Sequence, residues 1–94
     1  MKGYWIARVD VSDSDSYGEY AKLASQAIEE FGGKFLARGG QFISKEGVNR
    51  QRNVIVEFPS LEIADNCYNS ATYRRALDIA KKSAVREFII LEGA

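Results

Sequence analysis

Hydrophobic positions alternate with a period of two near both ends of the chain and recur every three or four residues in two stretches between. In GYWIARVDV, residues 3–11, one parity carries Trp5, Ala7, Val9 and Val11 and the other carries Tyr4, Ile6, Arg8 and Asp10. That alternation, in a segment rich in aromatic and β-branched residues, predicts a strand with one wholly apolar face. From Tyr17 to Phe31 the apolar residues Tyr17, Tyr20, Ala21, Ala24, Ala27, Ile28 and Phe31 fall on a single helical stripe. The preceding SDSDS supplies caps: Ser16 with Glu19 fits a capping box, and Asp13 or Ser14 serves equally well. Gly18 inside this helix costs about 1 kcal/mol against alanine, which implies a packing reason for the missing side chain. Gly32 falls where a helix ends in a left-handed turn.

KFLAR, residues 34–38, predicts a short strand with Phe35 and Ala37 on one face and Leu36 and Arg38 on the other. Gly39 and Gly40 then allow a kink or a bulge. The polar segment 41–52, with Gly47 as its turn, predicts the exposed loop of a hairpin. NVIVEF, residues 53–58, is the clearest strand, placing Val54, Val56 and Phe58 opposite Ile55 and Glu57. Pro59 ends it and Ser60 caps a second helix in two pieces. LEIADNCY carries Leu61, Ala64 and Tyr68; Ser70 caps a continuation on which Tyr73, Ala76, Leu77 and Ala80 share a stripe. VREFIILEG, residues 85–93, closes the chain as a strand.

The order strand, helix, strand, strand, helix, strand predicts an α+β, ferredoxin-like βαββαβ fold, a single domain over residues 1–94. Right-handed crossovers place the helices on one face of a four-stranded antiparallel sheet. The other face then carries Tyr4, Ile6, Leu36, Ile55, Ile89 and Leu91, more apolar surface than water tolerates. A second copy packed sheet against sheet would cover it, so the expected assembly is a homodimer, a dimeric α+β barrel.

Composition narrows the chemistry. Thirteen basic and thirteen acidic side chains give a net charge of zero, which argues against non-specific binding to DNA. Cys67 is the only cysteine, so no internal disulfide forms, and the absence of histidine removes common zinc sites and Ser-His or Cys-His nucleophile pairs. Nothing in the sequence calls for a cofactor. The N-terminus lacks the apolar run of a signal peptide, and no segment approaches the roughly 20 apolar residues that cross a bilayer. A cytoplasmic protein without membrane or nucleic-acid partners is the expectation. GGKFLARGG has the wrong spacing for a phosphate loop, and no helix follows the second glycine pair. The strand NVIVEF presents Ile55 and Glu57 rather than the stacking aromatics of RNA-recognition domains that share this topology.

Taken together, KGYWIARVDV, YGEY, FGGKFLARGG, VIVEFPS, CYNSATYRRA and ILEG resemble the small dimeric α+β-barrel proteins grouped as domain of unknown function thirteen-thirty. The resemblance covers nearly the whole chain and implies the dimer argued above, with no established reaction or cofactor. Two positions depart from the family pattern: Cys67 stands where a tryptophan is typical, and Ser70-Ala71-Thr72-Tyr73 replaces Ser-Pro-Glu-Tyr. Related barrels in other families include cofactor-independent oxygenases, haem-degrading enzymes and aromatic-ring isomerases, but fold analogy alone transfers none of these activities.

Strand parity points Arg38 and Glu57 away from the helices, together with Arg8 and Asp10 on the first strand. A covered arginine and carboxylate need one another, because an unpaired buried charge costs several kcal/mol. Two readings follow. The cluster either fixes strand register or the dimer, or it is a site in which Arg38 offers donors to a carboxylate or enolate and Glu57 is a general base. Tyr17 and Tyr20 are expected in the core. Tyr68 and Tyr73, flanking the helix break, are candidates for lining a pocket, and Cys67 is expected to be an inert small hydrophobe. The leading expectation is a homodimer binding a small, partly apolar organic ligand between sheet and helices, with Arg38 at its polar end. The rivals are a cofactor-independent oxygenase or isomerase, and a structural dimer without ligand.

Overall fold

Two segments of strict alternation form the middle of the sheet in the computed structural model, which describes all residues from Met1 to Ala94. Strand β1, Gly3–Val11, pairs antiparallel with β3, Arg52–Phe58, on one side and with β4, Ala84–Glu92, on the other. Strand β2, Lys34–Arg38, extends the sheet beyond β3, giving the order β2-β3-β1-β4. Helix α1, Ser14–Glu30, links β1 to β2; α2, Leu61–Tyr68, and α3, Ala71–Ser83, link β3 to β4. This is the α+β, ferredoxin-like fold, with a four-stranded antiparallel sheet covered by helices on one face.

Sequence chemistry accounts for the boundaries. Asp13, not Ser16, caps α1: its carboxylate accepts from the Ser16 backbone N–H at 3.2 Å, satisfying a donor the first helical turn leaves free. Gly32 adopts φ +70° just after the helix, where a side chain would strain the backbone. Ser60 caps α2 through the Ile63 N–H, and Ser70 caps α3 through the Tyr73 N–H. Ser70 also donates to the Cys67 carbonyl at 2.7 Å, so one hydroxyl closes one helix and opens the next. Gly18 has open space around it, so the packing reason expected for it is absent.

The core lies between sheet and helices. Trp5 is its centre: its ring sits 4.8 Å from Tyr73, 5.0 Å from Phe58 and 5.2 Å from Phe88, centroid to centroid. The indole N–H donates to the Ala64 carbonyl at 2.9 Å, anchoring α2 on β1. Small residues on the helices, Ala24, Ala27, Ala64, Ala76 and Ala80, are buried and allow close approach to these rings. On the uncovered face, Val85, Ile89 and Leu91 of β4 stay 59%, 56% and 50% exposed beside Ile6 and Ile55.

Candidate functional site

A single extra residue in β2 decides where the site lies. Phe35 opposes Val56 and Ala37 opposes Ile55, so a bulge intervenes at Leu36, and Arg38 then opposes Val54. Val54 and Val56 face the helices, and the bulge therefore turns both Phe35 and Arg38 inward. The sequence parity that sent Arg38 outward with Leu36 is corrected by this irregularity, which adds one residue to the count. The Arg38 guanidinium lies 4.0 Å from the centroid of the Phe35 ring and donates to Ser25 Oγ of α1 at 3.0 Å.

Behind Arg38 is a cavity of about 40 Å³ between α1 and the sheet. That volume holds about three waters at roughly 10–15 Å³ each. Ala21, Ala24 and Ile28 of α1 form one wall, and Phe35, Val54, Val56 and Phe88 of the sheet form the other. Its polar groups are the hydroxyls of Tyr17, Tyr20 and Ser25 and the guanidinium groups of Arg38, Arg52 and Arg86; no acidic side chain lines it. The chain's four ion pairs, Arg8–Glu87, Lys34–Glu57, Arg50–Asp10 and Arg50–Glu87, include none of these arginines.

Arg86 lies deepest. Its Nη2 donates to Tyr20 Oη at 2.8 Å and to Tyr73 Oη at 2.9 Å, and the two hydroxyls are 2.9 Å apart. Its Nε is buried without a hydrogen-bond partner. Burial opposes the charge while the oxygens of Tyr20 and Tyr73 favour it, and the balance lies on the charged side. Burial pushes the hydroxyls of Tyr17, Tyr20 and Tyr73 above the ordinary tyrosine range, Tyr20 furthest, so all three keep their protons at neutral pH. Arg52 is held by backbone shape: Gly39, at φ +68°, leaves a space that its guanidinium occupies, and an added Cβ there would collide with it. Gly39 thus serves a cationic side chain rather than a phosphate.

The expected pairing of Arg38 with Glu57 does not occur, because the two face opposite sides of the sheet. Glu57 accepts from Tyr4 Oη at 3.2 Å and pairs with Lys34 at 3.8 Å. Arg8 stays on that uncovered face as expected, bonded to Asn53, Glu87 and the Val48 carbonyl, while Asp10 holds Arg50 and the Gln51 backbone. Neither Tyr68 nor Tyr73 lines the cavity: Tyr73 is fully buried behind Tyr20, and Tyr68 packs on Trp5, Tyr73 and Phe88. Burial pushes the Cys67 thiol up to about 12, which leaves it protonated and unreactive at neutral pH. No group of three or more Asp, Glu or Cys side chains is gathered to hold a metal ion.

Sequence reasoning missed Arg52 and Arg86, and it took Tyr17 and Tyr20 for core alone. A signal was present: each of the two arginines shares the parity of apolar neighbours in or against the core, Arg52 with Val54 and Val56, Arg86 with Phe88 and Ile90. A charge in register with a core face is the position that needs explaining.

The sheet, its helices and the pocket between them define a ferredoxin-like α+β protein. The chain belongs to the family described as domain of unknown function DUF1330, which it matches over residues 2–94. No curated protein is similar to it in sequence. Among solved structures it resembles a protein of unknown function from Rhodopseudomonas palustris, with TM-score 0.78 and 17% identity over 99% of this chain and 82% of that one. It also resembles a dimeric ferredoxin-like protein of unknown function from Thermobifida fusca, with TM-score 0.66 and 15% identity over 99% and 92% of the two chains. The cofactor-independent oxygenase SnoaB from Streptomyces nogalater matches with TM-score 0.65 and 5% identity over 99% and 93%. At such identities the likeness is one of fold.

Proposed function

We propose that this protein is a cytoplasmic homodimer that binds a small, partly apolar organic molecule in the cavity between α1 and the sheet, with Arg38 at the polar rim. One observation carries the reading: a largely apolar cavity is walled by three arginines that have no carboxylate partner. A chain of this size has little surplus stability to maintain such an arrangement without use. The homodimer rests on the uncovered apolar face of β1, β3 and β4 and on fold relatives described as dimeric. Arg8 and Glu57, on that face, belong to the interface in this reading, and Tyr73 supports the cavity from behind.

Trp5 is the chain's only tryptophan and lines the cavity, so its emission reports on occupancy. Organic probes of two or three carbons should change it saturably, and a native mass spectrum should give a dimer. Arg38→Met should weaken binding roughly tenfold, the scale of one lost charge-assisted hydrogen bond. Glu57→Gln, on the other face, should leave it unchanged. Probes that leave Trp5 emission flat, together with a monomer mass, would defeat the proposal. The oxygenase alternative draws on the fold shared with SnoaB, but Glu57 cannot be its base from the opposite side of the sheet. A base would have to come from the ligand itself, because the cavity's tyrosines keep their protons at neutral pH.

A further inference from the structure

The Arg86 side of the cavity has more hydrogen-bond donors than acceptors. Arg86 Nη2 donates to both Tyr20 Oη and Tyr73 Oη, and the hydroxyls lie within bonding distance of each other. One hydroxyl can give its proton to the other; the second hydroxyl then has no acceptor. The Arg86 Nε–H has none either. Tyr17, whose hydroxyl feels the charges of Arg86 and Arg52, brings another protonated donor to the same side. Arg52 makes no ion pair, and no Asp, Glu, Asn or Gln side chain lines the cavity to restore the balance. Buried donors are nearly always satisfied in native proteins, and a shortage of acceptors beside a cavity calls for an acceptor from outside the chain.

We infer that the cavity's ligand is a small aliphatic monocarboxylate, its carboxylate received by Arg86 and the tyrosine hydroxyls and its short alkyl body lying between α1 and the sheet. The inference rests on the ligand-binding reading above and adds the ligand's charge and shape. A carboxylate only accepts, with about four lone-pair sites, and a guanidinium presents two parallel N–H groups to it. Nε is covered by its surroundings, so the Arg86 side chain turns as the anion enters. Eleven of the fifteen lining residues are hydrophobic, which suits a molecule whose charge sits at one end rather than a hydrated phosphate. Arg38 and Arg52 supply the positive potential that draws the anion inward.

The test compares acids with their neutral isosteres. Acetate and propionate are titrated into the protein by calorimetry beside acetamide, propionamide and inorganic phosphate, and the arginine Nε–H resonances are followed by NMR. The acids should bind at least tenfold more tightly than their amides and shift the Arg86 Nε–H signal. In Arg86→Met the preference should fall below twofold. If that variant does not fold, Tyr20→Phe, which removes one O–H donor, should cut the preference at least threefold, and the wild-type resonance decides independently. Amides binding as well as acids would overturn the carboxylate while leaving the pocket a ligand site. Phosphate binding in preference to the acids would overturn it too. Failure of every probe, acid and amide alike, would remove the ligand-binding reading and the inference with it.

Discussion

Gly18 and Gly39 show how differently two glycines act in one chain. Gly18 is exposed on α1 with nothing near its Cα and ordinary helical backbone. Gly18→Ala should therefore raise stability by about 0.5–1 kcal/mol, since alanine costs less conformational entropy in a helix; a denaturant titration measures it. Gly39 has positive φ, and its missing side chain makes room for Arg52. Gly39→Ala should strain the backbone by about 1 kcal/mol or more and push Arg52 out of place. Melting temperature and probe affinity should fall together in that variant. Cys67 offers a third check. With the thiol buried and pushed up to about 12, iodoacetamide at pH 8 should label it only in denaturant.

At the level of elements, period and punctuation made most of the fold legible. The alternation in β1 and β3, the stripe of α1 and the serine between α2 and α3 each had a local cause that the structure retains. Ser70→Ala should cost about 1–2 kcal/mol, because one hydroxyl bonds the helices on both sides of the break. The bulge in β2 was not legible, since no residue type announces it. It arises from how a short strand must twist to pair with β3, and that is decided across the sheet rather than along the chain. One hidden residue was enough to separate Arg38 from Glu57 and dissolve the cluster that parity had drawn. The loop before β3 carries its own pH dependence. The Gln51 backbone N–H, then Arg50, hold the Asp10 carboxyl below its ordinary range. Its folded value lies under its unfolded one, so the stabilisation is full above about pH 4 and fades as pH falls through the lowered value. Asp10→Asn should flatten the acid limb of a stability–pH curve.

For the molecule as a whole, the two faces of the sheet divide the work. One holds the aromatic core and the arginine-lined cavity; the other offers Ile6, Ile55, Ile89 and Leu91 between the Tyr4–Glu57–Lys34 group at one end and the Arg8–Glu87–Arg50–Asp10 network at the other. Ile89→Asp should convert a dimer to monomers by light scattering while leaving the helical circular-dichroism signal in place. If the mass stays dimeric, the subunits meet elsewhere. The irregularity at Leu36 has one more effect, on how copies of the chain can meet. β2 is an outer strand, and its ladder of free N–H and C=O groups is an invitation to any stray strand alongside. A kinked ladder makes a poor template, so the misalignment that brings Arg38 to the helix side of the sheet also discourages growth of the sheet into fibres from that border.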